Sequence, residues 1–131
     1  MTGPTVRYST PDALFTPTGP WSITATAGPL LFLAGMRGID PETDALVEDP
    51  RERVRQIFTN IEAAAAAGGV GLDGCVRLTV YVTDMAAHRP LVNDVQREFW
   101  GDGPYPPRTI VAVSGLNQDD IVEVEATFVR T

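Results

Sequence analysis

The chain closes on PYPPRTIVAVSGLNQDDIVEVEATFVRT, residues 104–131. Two strand-like runs stand in it, RTIVAVS at 108–114 and DIVEVEATFV at 120–129. In the second, Val122, Val124 and Phe128 alternate with Glu123, Glu125 and Thr127, the period-two pattern of a half-buried strand. Arg108 opens the first run and Glu123 sits inside the second. Charges are costly in strands built for burial, so both need a reason to be there. Pro106-Pro107 stiffen the approach to Arg108 and set it at the strand mouth. A guanidinium is always charged and binds carboxylates as a fork. Two readings are open. One is an Arg–Glu cross-strand pair at the rim of a sheet. The other is an anion-binding arginine beside a carboxylate that handles protons or water.

Working outward, CVRLTVYVTD (75–84) predicts a strand whose Val76, Leu78, Val80 and Val82 form one apolar face. In HRPLVNDVQREFW (88–100), Leu91, Val92, Val95 and Phe99 recur at helical spacing, which places Pro90 in the first turn. DPRERVRQIFTNIEAAAAAGG (49–69) is the clearest helix. Asp49 is its N-cap, Pro50 its first residue, and Glu52 completes a capping box. Val54, Ile57, Phe58 and Ile61 form its apolar stripe, and Gly68-Gly69 end it. Earlier still, WSITATA (21–27) alternates, with Ser22, Thr24 and Thr26 on a polar face. Gly28-Pro29 turns it into LLFLAGMRG (30–38), so the two form a hairpin. A short strand at Val6–Ser9 precedes them, and IDPETDALVED (39–49) is a polar loop. Two amphipathic helices can cover one face of such a sheet. The second face, with Thr24, Thr79, Tyr81, Glu123, Glu125 and Thr127, is too mixed for a dry core, and a subunit partner would cover it.

Composition removes several classes of function. The chain has 131 residues, 44% hydrophobic and 21% charged, enough for one domain with its own core. A net charge of −7 opposes nucleic acid and anionic membrane surfaces, which both select Lys and Arg. One cysteine, Cys75, allows no internal disulfide, and MTGPTVRYST has no apolar signal region, so a cytoplasmic setting is expected. The longest apolar stretch, GPLLFLAGM, is too short to span a bilayer. With one histidine, His88, no metal-ligand spacing exists, and no glycine-rich phosphate cradle leads from a strand into a helix.

The stretch PPRTIVAVSGLNQDDIVEVEATFVR resembles the C-terminal signature of the reactive intermediate deaminase family (RidA, also called YjgF), P-x-R-[ST]-x-x-x-V followed by an I-E-I-E-A-like strand. GPWSITATAGPLLFLAGMRGIDPETDALVE is similar to the family's G-P-Y-S-x-A and S-G-Q-I-x-x-D-P-x-T-G-x segments, and the likeness runs over nearly the whole chain, 1–131, as one domain. It implies an α+β, chorismate-mutase-like fold: a mixed sheet of about six strands, two helices on one face, and a homotrimer with clefts between subunits. It also implies cofactor-independent hydrolysis of enamines and imines, such as 2-aminoacrylate, to keto acid and ammonia. Arg108 matches the arginine that grips the substrate carboxylate, and Glu123 the glutamate that positions water or passes protons. Gly35 and Ile110 match positions whose backbone faces the ligand, and Asn93 a cleft asparagine. Three departures stand out: Trp21 for the tyrosine after G-P, Ala34-Gly35-Met36 for S-G-Q, and Ile110 for a cysteine. They imply a larger, drier pocket walled by Trp21 and Met36, suited to a bulkier imine. A trimer that binds metabolites without catalysis, or assists a biosynthetic pathway, is the main alternative; RNA cleavage, reported for some relatives, is opposed by the charge.

Overall fold

The computed structural model describes residues 5–131. Met1–Pro4, part of the leading stretch read for a signal region, lie outside the described residues. Strands β1 (Arg7–Ser9), β2 (Thr24–Ala27), β3 (Leu30–Met36), β6 (Cys75–Val82), β7 (Arg108–Ala112) and β8 (Val122–Val129) form a six-stranded sheet in the order β1-β2-β3-β8-β6-β7. Its pairings are antiparallel except β6 with β7, so the sheet is mixed. Helices α1 (Pro50–Ala67) and α2 (Met85–Trp100) pack on one face. A two-stranded ribbon, β4 (Ile39–Asp40) with β5 (Ala45–Leu46), stands where a polar loop is expected.

Strand β8 is central, and its alternation organises the core. Val122, Val124 and Phe128 are fully buried beneath the helices. Beside them lie Leu31, Leu33 and Met36 of β3, and Leu78, Val80 and Val82 of β6. The α1 stripe of Val54, Ile57, Phe58 and Ile61 covers this layer, and Phe58 meets Phe99 and Trp100 of α2 at ring-centroid separations of 5.6 and 6.0 Å.

Four local expectations change. The register pairs Thr24 with Leu33, so Thr24 points toward the core side and is buried, while Ala25 and Ala27 take the open face. Ile23 is fully buried just before the strand, as its apolar character predicts, but within Thr24–Ala27 the phase is opposite to the one expected. Val76 leaves the apolar row because the β6–β8 register shifts between Cys75 and Arg77; it is 40% exposed. Helix α2 begins at Met85, with the Asp84 carboxylate accepting from Ala87 N–H at 3.1 Å. Pro90 therefore lies inside the helix, where it costs one backbone hydrogen bond. The capping box of α1 is half formed. Asp49 accepts from Glu52 N–H at 3.0 Å, but the Glu52 carboxylate turns to Arg55.

Asp49 satisfies one of the orphan donors of the longest helix. Asp49→Ala is expected to lower stability by about 0.5–2 kcal/mol. Urea unfolding should show a lower midpoint with an unchanged slope.

Candidate functional site

Between Leu33 and Met36 the β3–β8 register shifts, and Ala34-Gly35 form the irregularity. Such a bulge re-aims the chain locally. It carries Gly35 against Glu123: a Cβ on Gly35 would lie 2.8 Å from the Glu123 carboxyl carbon, so only glycine lets the carboxylate sit there. Glu123 is paired with Tyr81 and points away from the helices, opposite to its buried neighbours Val122 and Val124. It opens into a cavity of about 310 Å³ whose walls include Phe15, Trp21, Gly35, Arg37 and Asn117. Trp21 leans on Phe15 at a centroid distance of 6.3 Å and remains 39% exposed, so it presents an aromatic wall.

Arg37 joins the cavity wall to a buried charge cluster. Asp120 accepts from Arg37 Nε at 2.8 Å and from Arg53 Nη1 at 3.3 Å, and its side chain is fully buried. Arg37 also donates to Gln118 Oε1 at 2.9 Å. Asn60, buried in α1, donates to the carbonyls of Arg37 and Ile39. The guanidinium of Arg37 is thus already answered. Burial raises the Glu123 pKa above the ordinary carboxylate range; Arg37 opposes the rise, and Asp120 and Glu125 add to it. Glu125, on the same face, accepts from the Tyr81 hydroxyl at 2.8 Å.

Arg108 lies elsewhere. Its Cα partner on β6 is Leu78, a core residue, so its side chain points to the helix side of the sheet. There Nη1 donates to Gln96 Oε1 of α2 at 2.8 Å. It lines a cleft of about 220 Å³ with Asn93, Gln96, Arg97, Tyr105 and Pro106. Burial lowers its pKa from the ordinary arginine value, and the like charges of Arg89 and Arg97 lower it further. A guanidinium stays charged even so. Among the described residues Arg108 has no carboxylate within ion-pair distance, so the rim pair with Glu123 does not form.

The predicted site residues therefore fall into two groups within one chain. Trp21, Gly35 and Glu123 share the first cavity, and Asn93 and Arg108 share the second cleft. Ile110 pairs with the core residue Val80, so its side chain packs against the core. Met36 is a correction. It is fully buried beneath the helices, because the bulge turns it onto the core face, and it lines neither of these two cavities. Sequence reasoning missed Arg37, Asn117 and Gln96. Arg37, a charge ending an apolar strand, carried a signal of the same kind as Arg108; Asn117 and Gln96 carried none beyond their polarity.

Two helices on one face of a mixed six-stranded sheet, with cavities on both sides of it, define an α+β protein of the class to which the sequence resemblance pointed. Residues 11–129 match the Endoribonuclease L-PSP family, and the chain belongs to it, the YjgF/RidA family. The chain is similar to a structure described as a probable translation initiation inhibitor from Rhodopseudomonas palustris, with 46% identity, a TM-score of 0.92, and coverage of 96% of this chain and 98% of that one. It is 32% identical to the 2-iminobutanoate/2-iminopropanoate deaminase of Dermatophagoides farinae, over 86% of this chain and 88% of the relative. Escherichia coli TdcF with bound serine superposes with a TM-score of 0.89 at 25% identity, covering 95% of this chain and 99% of that one. Among the described residues no helix is long and apolar enough to cross a membrane.

Burial of Glu123 has a measurable sign. Its pKa is raised on folding, so the folded state holds its proton more tightly than the unfolded chain does. Its contribution to stability declines as pH rises from the unfolded value, about 4.3, through the raised folded value. Glu123→Gln removes that penalty. The variant should be more stable than the parent at neutral pH, with the difference vanishing below about pH 4, where both side chains are uncharged. Thermal melts across that range check it.

Proposed function

We propose that this chain is a cofactor-independent deaminase that hydrolyses the imines of small 2-amino acids to 2-keto acids and ammonia. One observation carries the reading. A partly buried carboxylate and a guanidinium that has no anionic partner among the described residues are held on opposite faces of one sheet, each facing an open cavity. The name of the Dermatophagoides relative and the serine bound to TdcF support the substrate class.

In this reading Arg108 binds the substrate carboxylate as a fork, and Asn93 beside it completes the cleft. Water adds to the imine carbon: a C–O bond forms, the C=N bond becomes C–N, and nitrogen takes up a proton. Glu123 accepts that proton from the attacking water and delivers it to nitrogen, giving a carbinolamine. It then takes the hydroxyl proton and passes it to the amine, the C–N bond breaks, and ammonia leaves as the C=O forms. A carboxyl whose pKa is raised by burial is better matched to this exchange than an ordinary surface glutamate. Gly35 gives the carboxylate room and keeps its backbone open to the ligand. Trp21 sets a broad aromatic wall, which favours imines larger than 2-aminoacrylate.

Because Arg108 and Glu123 face opposite ways, one substrate reaches both only if a second copy presents its Glu123 cavity to the Arg108 cleft. We therefore propose a homotrimer with sites between subunits, working in the cytoplasm. The exposed Tyr8, Leu30, Phe32, Val111 and Val129 supply apolar surface for such contacts. The endoribonuclease description of the family raises RNA cleavage as a second reading, but the net charge of −7 opposes it.

Keto-acid and ammonia release from freshly generated imines tests the activity. Arg108→Ala should lose it by roughly thirtyfold to several-thousandfold, from a lost charge contact of about 2–5 kcal/mol. Glu123→Gln should lose about two to four decades in kcat, with Glu125→Gln as a milder control. Full activity in a folded Arg108→Ala sample would contradict the assignment.

Light scattering after size exclusion should give three times the 14.1 kDa chain mass. Activity per subunit should fall on dilution as assemblies dissociate. A fully active monomer would contradict the shared site.

A further inference from the structure

The partner of Arg108 is neutral. Arg77 and Arg130 also have neutral partners, Thr109 Oγ1 and the Gly28 carbonyl, whereas arginines that reach from other parts of the fold take carboxylates. Arg37 and Arg53 are answered by Asp120, and Arg55 by Glu98. Arg108 is answered by the amide of Gln96, which is only 5% exposed on the face of α2 that lines the same cleft. Arginine offers five donors and no acceptor, so the amide must turn its oxygen toward it. One bond fixes the guanidinium and leaves further donors for a ligand. The amide has no net charge, so the cation is oriented without being neutralised. Arg97, lining the same cleft, adds to its positive potential.

We propose that Gln96 is a positioning residue for the anion grip: it holds Arg108 by a neutral acceptor and so keeps the full guanidinium charge for a substrate carboxylate. This rests on the reading that Arg108 binds that carboxylate. A glutamate at position 96 would make a stronger, charge-assisted bond to Arg108. It would also convert Arg108 into an internal ion pair, with which an incoming carboxylate must compete. A methionine of similar size would leave the charge free and the guanidinium unoriented.

The test compares Gln96→Glu, Gln96→Met and Arg108→Ala, using keto-acid release for KM and kcat, calorimetric binding of 2-oxobutanoate, and thermal melting. Gln96→Glu should raise KM and weaken 2-oxobutanoate binding by about tenfold to a hundredfold, while melting at or above the parent temperature. Gln96→Met should weaken binding by about fivefold, the worth of one neutral hydrogen bond, and should lower kcat with it. A purely structural role predicts the opposite order, because glutamate preserves the bond and methionine removes it. Parent-like binding by Gln96→Glu, with binding lost in Arg108→Ala, would overturn the role of Gln96 alone. Intact 2-oxobutanoate binding in Arg108→Ala would instead remove the grip on which the inference rests.

Discussion

Strand β8 divides the molecule. It runs between β3 and β6, so both of its edges are paired and its only freedom is which side chains go up and which go down. Val122, Val124, Ala126 and Phe128 go to the helix side and are buried. Glu123, Glu125 and Thr127 go to the other. A slip of one residue would send three polar groups into the core and expose four apolar ones, so the register is strongly determined. The position of Glu123 follows from that register, and the bulge at Ala34-Gly35 then clears the space its carboxylate occupies. The same sheet turns Arg108 the other way, because β7 pairs with β6 in a register that aligns Arg108 with Leu78.

Charge is handled differently on the two sides. Beside the Glu123 cavity, Asp120 is shared by Arg37 and Arg53, and the cluster ties α1 and the loop before β8 to the end of β3. Breaking such a buried cluster costs about 3–5 kcal/mol, so it holds Arg37 rigidly in the cavity wall. Glu123 shares that cavity with Arg37, close enough to feel Arg37 and Asp120 but dominated by burial. Arg108 has a neutral tether and positive neighbours, an arrangement that is costly without an anion and favourable with one. A carboxylate with a raised pKa and a guanidinium awaiting an anion are complementary parts, and the fold keeps them apart within a chain.

Much of this was legible in the residues. The period-two pattern of VEVEATF and the helical spacing of Val54, Ile57, Phe58 and Ile61 reflect burial directly, so both elements appear where expected. The phase of WSITATA was not legible, because Thr and Ala differ too little in burial cost to identify the core side. Pairing with Leu33 decides it. Alternation places Val76 and the family likeness places Met36, and a bulge defeats both readings. Each sits at or beside a register irregularity, and an extra residue reverses the faces that alternation predicts. Arg108 and Glu123 stood out as charges in apolar runs, but their orientation depends on which strands pair, a long-range property that spacing does not carry. Gln96 was invisible for the same reason: its meaning lies in the helix being laid across β7.

The central claim is that Arg108 of one copy and Glu123 of another complete each site. It is tested most directly by mixing two inactive proteins, Arg108→Ala and Glu123→Gln, under conditions of subunit exchange. In randomly mixed closed assemblies, about one quarter of the interfaces should join an intact Arg108 to an intact Glu123. Keto-acid release should then return to about a quarter of the parent rate per site, as far as sites act independently. No recovery, with exchange verified by mass spectrometry of the hybrids, would contradict the shared site and return Arg108 and Glu123 to separate roles within each chain.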